Sequence, residues 1–217
     1  MSEKIRIALD GPSGAGKSTI AKKIAQDLEI DYIDTGAMYR AIGYKLKVLN
    51  DVDLEDEAEL KSVLDCTEID FNKGDTLLDG QVINEEIRTP EATKMASLCS
   101  AIPAVREKLV ALQRKMGQEK SVVMDGRDIG TNVLKDAEYK FFMTASAEER
   151  ADRRYKEMLE KGMDTTYEEV LKDIIQRDHN DTTRALNPLR KAEDAQETDT
   201  TGMGIEEVVQ TIISKIK

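Results

Sequence analysis

Histidine occurs once in the 217 residues, at position 179, and cysteine twice, at positions 66 and 99. A single histidine leaves no well-supported Ser-His-Asp or Cys-His arrangement, and no cluster has zinc-ligand spacing. His179 stands in a polar stretch and reads as a solvated turn residue. Two cysteines are too few for a disulfide framework, so both are expected to pack as small apolar residues in a reducing compartment. No apolar run nears the roughly 18 residues of a membrane span, and the charged stretch at residues 1–7 lacks a signal-peptide pattern. The expected location is the cytoplasm, where Asn180-Asp181-Thr182 means nothing as a glycan acceptor. Positive charge is also scarce: 32 Lys and Arg stand against 43 Asp and Glu, a net charge of −11. Proteins that track nucleic-acid phosphates carry the opposite balance, so no polynucleotide partner is expected, although local basic pockets are compatible with an acidic whole. Internal repeats and low-complexity segments are absent.

The length suits one domain with insertions, and 40% hydrophobic residues are enough for a packed core. Residues 11–18 read G-P-S-G-A-G-K-S, a complete phosphate-binding loop of the form G-x-x-x-x-G-K-[ST]. Its glycines, Gly11, Gly14 and Gly16, let backbone N–H groups point inward and form an anion nest at a helix start. Lys17 reaches for the β- and γ-phosphates, and Ser18 for magnesium. The apolar run at 5–9 precedes the loop, and Ile20, Ala21, Ile24 and Leu28 follow as one helical stripe. A nucleoside triphosphate is the expected ligand.

Further candidate strands lie at 32–34, 121–125, 139–144 and, weakly, 195–200. Helical patterns lie at 20–28, 106–115 (with Arg106 at the start), after Thr166, and at 205–216. Thr166-x-x-Glu169 is a capping box, and Val170, Leu171, Ile174 and Ile175 would supply its buried face. Alternating strands and helices predict a parallel sheet covered on both sides. Residues 65–85 break the rhythm. Short runs at 68–71, 76–78 and 81–84 are separated by turns at 72–75 and at Asp79-Gly80, which reads as an inserted three-stranded antiparallel meander. The acidic stretch 51–64 before it reads as a surface helix.

Cations dominate the remaining chemistry. Arg40 closes D-T-G-A-M-Y-R (34–40), and Arg127-Asp128 follows the strand ending at Asp125. Arg150, Arg153 and Arg154 share about one helix face, and Arg177, Asp181 and Arg184 sit in R-D-H-N-D-T-T-R. A solvated charged face is the ordinary explanation for any one of these. Position argues otherwise for Arg127 and Asp128, which lie past the C-terminal end of a strand, where open α/β sheets bind ligands. Arginine also suits bidentate phosphate recognition better than lysine. Asp125 resembles the aspartate that helps hold magnesium in phosphate-loop enzymes. Asp34-Thr35-Gly36-Ala37 is spelled like an aspartic-protease turn, but it occurs once and in an α/β context. Asn72-Lys73-Gly74-Asp75 is spelled like a guanine-specifying loop, but hairpin chemistry explains it better. Transfer to an alcohol usually wants a positioned base. Transfer to an anionic phosphate acceptor wants cations that hold two anions in line, which matches this inventory.

In order and spacing the motifs resemble those of bacterial-type cytidylate kinases, a branch of the nucleoside monophosphate kinases. The resemblance runs through G-P-S-G-A-G-K-S-T, D-T-G-A-M-Y-R, E-E-I-R-T (85–89), S-x-x-x-x-x-P-x-V-R (97–106), D-G-R-D-I-G-T (125–131), E-E-R-A-D-R-R (148–154) and R-D-x-x-D-x-x-R (177–184). It implies a phosphate-loop kinase fold: a single α/β domain with a five-stranded parallel sheet covered by helices. A monophosphate-binding region at 36–100 would include the small antiparallel insertion, and a short lid would span 150–165. It implies transfer from ATP to CMP or dCMP with magnesium, by a cytoplasmic monomer with no membrane or nucleic-acid partner. Carried over by position, Gly11, Pro12, Ser13, Gly14, Ala15, Gly16, Lys17, Ser18 and Thr19 bind the ATP phosphates, with Arg150 and Arg153 in the lid over ATP. Lys17, Arg40, Arg127 and Arg154 are the implied catalytic cations, and Ser18 and Asp125 the implied metal-side residues. Arg40, Arg127 and Arg184 would hold the acceptor phosphate, and Thr35, Tyr39, Arg177 and Asp181 would frame the ribose. Ser97, Arg106 and Asp128 would read cytosine, with Asp128 accepting from the N4 amino group. Uracil would place its O4 acceptor against that carboxylate, a costly mismatch. The alternatives are a related kinase with UMP, AMP or an alcohol as acceptor, or a nucleotide-binding switch without turnover. The polar run 195–199 departs from the strand expected there, and Ser18 stands where many monophosphate kinases have glycine.

Overall fold

The structure is a computed structural model that describes residues 4–72 and 74–216. Residues 1–3 of the charged N-terminal stretch, Lys73 in the expected 72–75 turn, and Lys217 lie outside the described residues. In chain order the elements are β1 (Arg6–Asp10), α1 (Lys17–Asp27), β2 (Asp31–Asp34), α2 (Thr35–Tyr44), α3 (Glu57–Asp65), β3 (Ile69–Asn72), β4 (Asp75–Leu78), β5 (Gln81–Val82), α4 (Pro90–Cys99), α5 (Pro103–Glu119), β6 (Val122–Gly126), β7 (Tyr139–Thr144), α6 (Ala147–Glu160), α7 (Tyr167–Thr183), β8 (Gln196–Asp199) and α8 (Ile205–Ile213). Two π-helical turns, Lys45–Leu49 and Ile129–Val133, and a 3-10 turn, Glu86–Arg88, complete the set.

Two compact units emerge. The first comprises residues 1–32 and 119–217, the second Ile33–Gln118. A five-stranded parallel sheet of order β2-β6-β1-β7-β8 organises the first. β1 is its centre and is buried on both faces from Ile7 onward, which is why the strand reads as continuous apolar sequence rather than as an alternation. Its register with β6 sets Leu9 opposite Asp125 and Asp10 opposite Gly126. Asp125 and Asp10 therefore stand one residue apart at the C-terminal edge of neighbouring strands, on opposite faces of the sheet. Beneath them, Leu9, Ile24, Val123, Phe141, Val209 and Ile212 join strands, α1 and α8 in one apolar core. The polar strand β8 does form, parallel to β7, at the edge of the sheet. Only Thr198 of its four residues is buried, so polarity costs little there.

α7 starts with the expected capping box: Thr166 accepts from the Glu169 N–H and Glu169 from the Thr166 N–H at 3.0 Å. Its buried face is narrower than the sequence suggests. Val170 and Ile174 are buried against Ala151 of α6, Leu171 is only partly buried, and Ile175 is 53% exposed. His179 lies on exposed helix rather than on a turn, because α7 runs to Thr183.

The second unit contains the antiparallel sheet β3-β4-β5, with Ile69 opposite Leu78 and Leu77 opposite Val82. Asp79 and Gly80 both take positive φ, 50° and 80°, the pairing a two-residue hairpin turn requires. The Lys45 ammonium, nearly buried, ties this hairpin down through the Asp79 carboxylate at 2.6 Å and the Cys66 carbonyl at 3.0 Å. Cys99 is buried as expected, but Cys66 is exposed, because it caps the end of α3 rather than facing a core. The acidic helix begins only at Glu57, since Asp56 caps it and Asp51 at φ 48° breaks the chain before it. α5 begins at Pro103, not at Arg106; proline at the first turn is pre-set for a helix start. Among the described residues, no helix is long and apolar enough to cross a membrane.

Candidate functional site

The phosphate loop follows β1 directly, and its first turn admits only glycine. Gly11 has φ 147°, and a Cβ placed on it would lie 2.2 Å from the Met143 carbonyl oxygen of neighbouring β7. Ser13 and Ala15 are buried, and Pro12 is partly so. Gly16 caps α1 with no side-chain cap bond, and the first N–H groups of a helix have no intrahelical acceptor, which makes this helix start suited to an anion. Lys17 is buried at the head of that helix, and its Nζ donates to the Pro12 carbonyl at 2.7 Å. Burial pushes the Lys17 pKa well below the ordinary lysine range, and the nearby Arg127 charge pushes it further; Asp125 and Asp10 act in the opposite direction.

Beside the loop, Ser18 Oγ donates to Asp125 Oδ2 at 2.8 Å, and the Tyr32 hydroxyl donates to Asp125 Oδ1 at 3.0 Å. A hydroxyl and a carboxylate in contact are hard oxygen donors, the type magnesium prefers. Among the described residues, no group of three or more His, Cys, Asp or Glu is placed to hold a metal. An ion here would draw most of its ligands from water and phosphate.

The cations past the sheet edge crowd one another. Arg127 Nε donates to Asp181 Oδ2 at 2.7 Å. Burial disfavours the Arg127 charge, but the Asp181 carboxylate overrides it and the pKa stands above the ordinary value. Asp181 is held low in turn: burial raises it, and the Arg127 charge and hydrogen bond outweigh that. Arg177, one helical turn before Asp181, is lowered to about 10, first by burial and then by the charges of Arg127 and Arg154. Among the described residues, no carboxylate pairs with Arg154. Arg184 Nη2 donates to Asp128 Oδ1 at 3.1 Å and to the Asn187 carbonyl at 2.6 Å, while Asn132 donates to Asp128 Oδ2 at 3.0 Å. Asp128 is thus buried with both oxygens engaged. Arg150 clamps the loop from α6: Nη1 donates to the Ser13 carbonyl at 2.9 Å, and the guanidinium meets Asp178 of α7 in a two-pronged pair at 3.0 and 2.5 Å. Arg153 donates to Glu149 and to the Thr200 carbonyl, both at 2.9 Å.

In the second unit, α2 carries Thr35, Tyr39 and Arg40, α4 carries Ser97, and α5 carries Arg106. Arg40 pairs with Asp34 at 3.1 Å, and the buried Arg106 guanidinium lies 6.0 Å from the centre of the Tyr39 ring. Sequence reasoning passed over three residues of the first unit: Asp10, Tyr32 and Asp178. Asp10 had one visible signal, a charge at the end of an apolar strand. Asp178 stood in the R-D-x-x-D-x-x-R string without a role, and Tyr32 had no signal, because its partner lies far off in sequence.

A family model described as cytidylate kinase matches residues 7–217. The chain belongs to the cytidylate kinase family. The cytidylate kinase of Clostridioides difficile (strain 630) is 53% identical over 210 residues, 97% of each chain. That of Carboxydothermus hydrogenoformans is 50% identical over 216 residues, covering 98% of this chain and 97% of the relative. Among solved structures, an uncharacterized protein from Eubacterium ventriosum covers 99% of this chain and 98% of its own at a TM-score of 0.54 and 16% identity, a likeness of fold alone. The five-stranded parallel sheet, the phosphate loop and the separate antiparallel sheet agree with the fold expected from the sequence resemblance.

Proposed function

We propose a division of labour for the family's reaction, ATP plus CMP giving ADP plus CDP, with dCMP as a second acceptor. The chain is a nucleoside monophosphate kinase. Residues 11–19 hold the ATP phosphates through backbone N–H groups, and Lys17 bears on the group in flight. Arg40, Arg127 and Arg184 hold the acceptor phosphate; Thr35, Tyr39, Arg177 and Asp181 frame its ribose; Ser97, Arg106 and Asp128 read the base. Arg154 stabilises the transferring charge, while Arg150 and Arg153 serve the ATP side. Residues 150–165, all of α6 but its first three residues and the stretch after it, act as the lid that excludes water. Ser18 and Asp125 are the residues that would hold magnesium, which when bound screens the charge of the phosphates. The enzyme works as a cytoplasmic monomer on this reading.

One observation carries the proposal. Burial first, and then the Arg127 charge, lowers the pKa of Lys17; burial first, and then the charges of Arg127 and Arg154, lowers that of Arg177. Cations held close enough to repel one another form a preorganised site for anionic charge, which costs no reorganisation as the reaction proceeds. No histidine stands in the group, as suits an acceptor oxygen already ionised. Asp128→Ala tests the base-reading role. CMP phosphorylation is expected to fall by about 10²-fold or more in kcat/KM while ATP hydrolysis without acceptor changes by less than about threefold. Equal losses in both would assign Asp128 to metal or fold instead.

A further inference from the structure

Asp10 has no task in the scheme above, yet among the described residues it is the most buried carboxylate. It is the last residue of β1, is 4% exposed, and immediately precedes Gly11. Among the described residues, no lysine or arginine makes an ion pair with it. Its Oδ1 instead accepts from the Ile129 N–H and its Oδ2 from the Gly130 N–H, each at 2.8 Å, across 119 and 120 residues of chain. Burying a carboxylate is costly, and a fold needing only a filled position there would use an apolar residue. One acceptor oxygen for each of two successive N–H groups fixes both the place and the tilt of the chain as it leaves Asp128. That chain then enters the π-helical turn Ile129–Val133. On its other side Asp10 is joined covalently to the phosphate loop.

We infer that Asp10 is a positioning residue: it fixes the segment carrying Arg127 and Asp128 against the root of the phosphate loop, and so sets the affinity for the acceptor nucleotide. The inference rests on the reading that Arg127 and Asp128 serve CMP. The strand register between β1 and β6 ends at Gly126. Beyond it, the Ile129 and Gly130 N–H groups tie the chain back to β1 through Asp10. Asparagine at position 10 would keep one acceptor and turn an amide donor toward the other N–H, breaking the orienting pair while nearly preserving volume.

The test uses the full chain, with kcat and KM measured for CMP and for ATP in Asp10→Asn, Gly130→Ala and, as reference, Arg127→Gln. Melting temperatures are recorded for all. Gly130→Ala crowds the same turn from the other side, chiefly against Lys140 Cδ at 3.2 Å from the added Cβ, with Asp10 Oδ2 in ordinary contact at 3.4 Å. Asp10→Asn is expected to raise KM for CMP by about tenfold while KM for ATP stays within about twofold; Gly130→Ala shifts the same ratio by a smaller factor. Should Asp10→Asn not fold, the Gly130→Ala ratio decides alone. Equal rises in both KM values, or an unchanged KM for CMP, overturn the inference. If Arg127→Gln raises KM for CMP and Asp10→Asn does not, only the role of Asp10 falls. If Arg127→Gln leaves KM for CMP unchanged, the reading beneath it falls.

Discussion

Lys17 is a buried ammonium that, among the described residues, donates to the neutral Pro12 carbonyl, with an arginine charge nearby. Its solvation is regained only when phosphate oxygens replace water, and most fully as negative charge shifts between them. Lys17→Ala is therefore expected to lower kcat by about 10²- to 10³-fold, more than it raises KM for ATP. Steady-state kinetics at saturating CMP check this, and a near-normal kcat would contradict the role.

Asp10 gives a second expectation at the same scale. Burial raises its pKa to about 6 from the ordinary 3.8, against the two backbone N–H bonds that lower it. A carboxyl raised on folding contributes stability that is fully present below the unfolded pKa and is lost as pH rises through the folded one. The stability of the wild type relative to Asp10→Asn should thus fall by roughly 1 kcal/mol between pH 5 and 7, measured by urea unfolding. A pH-independent difference would contradict it. Legibility varied sharply among residues. The phosphate loop could be read because its determinants are contiguous and the backbone needs glycine where glycine stands. The Arg150–Asp178 clamp, 28 residues apart and on two helices, leaves no pattern in sequence.

At the scale of elements, the strongest local signals became structure. The Thr166–Glu169 box starts α7, and Thr166→Ala should cost about 1 kcal/mol, lowering the melting temperature by about 2–4 °C. Calorimetry checks this; no shift would mean that α7 is held by packing on α6 alone. The D-T-G-A string proved to be helix-start chemistry: Asp34 caps α2 by accepting from the Ala37 N–H at 2.8 Å. The two π-helical turns were not foreseen, because one extra residue in a helical turn has no compositional signature. Ile175 misled for a related reason: helical period marks a stripe, but only the neighbouring helix decides how wide a stripe is covered.

At the scale of the whole molecule, net charge and local charge point in opposite directions. A chain of net charge −11 gathers cations here: burial first, and then the Arg127 charge, lowers the proton affinity of Lys17, and burial first, then the charges of Arg127 and Arg154, lowers that of Arg177. The acidic balance speaks against polyanions as partners, while the gathered cations favour small anions. The parallel sheet and the antiparallel meander were legible because alternation and hairpin turns are local patterns; the strand order, set by long-range pairing, was not. The division into two compact units was not, because it depends on which long-range contacts are dense.

The central claim is that the acceptor is a cytidine monophosphate, and a panel of acceptors tests it most directly. Purified protein is given MgATP with CMP, dCMP, UMP, AMP, GMP or shikimate, and ADP formation is measured. CMP and dCMP should turn over rapidly, with kcat/KM at least about 10²-fold above AMP, GMP and shikimate and with CMP above UMP. Faster turnover of UMP or AMP than of CMP, or ATP binding without turnover of any acceptor, would contradict the account.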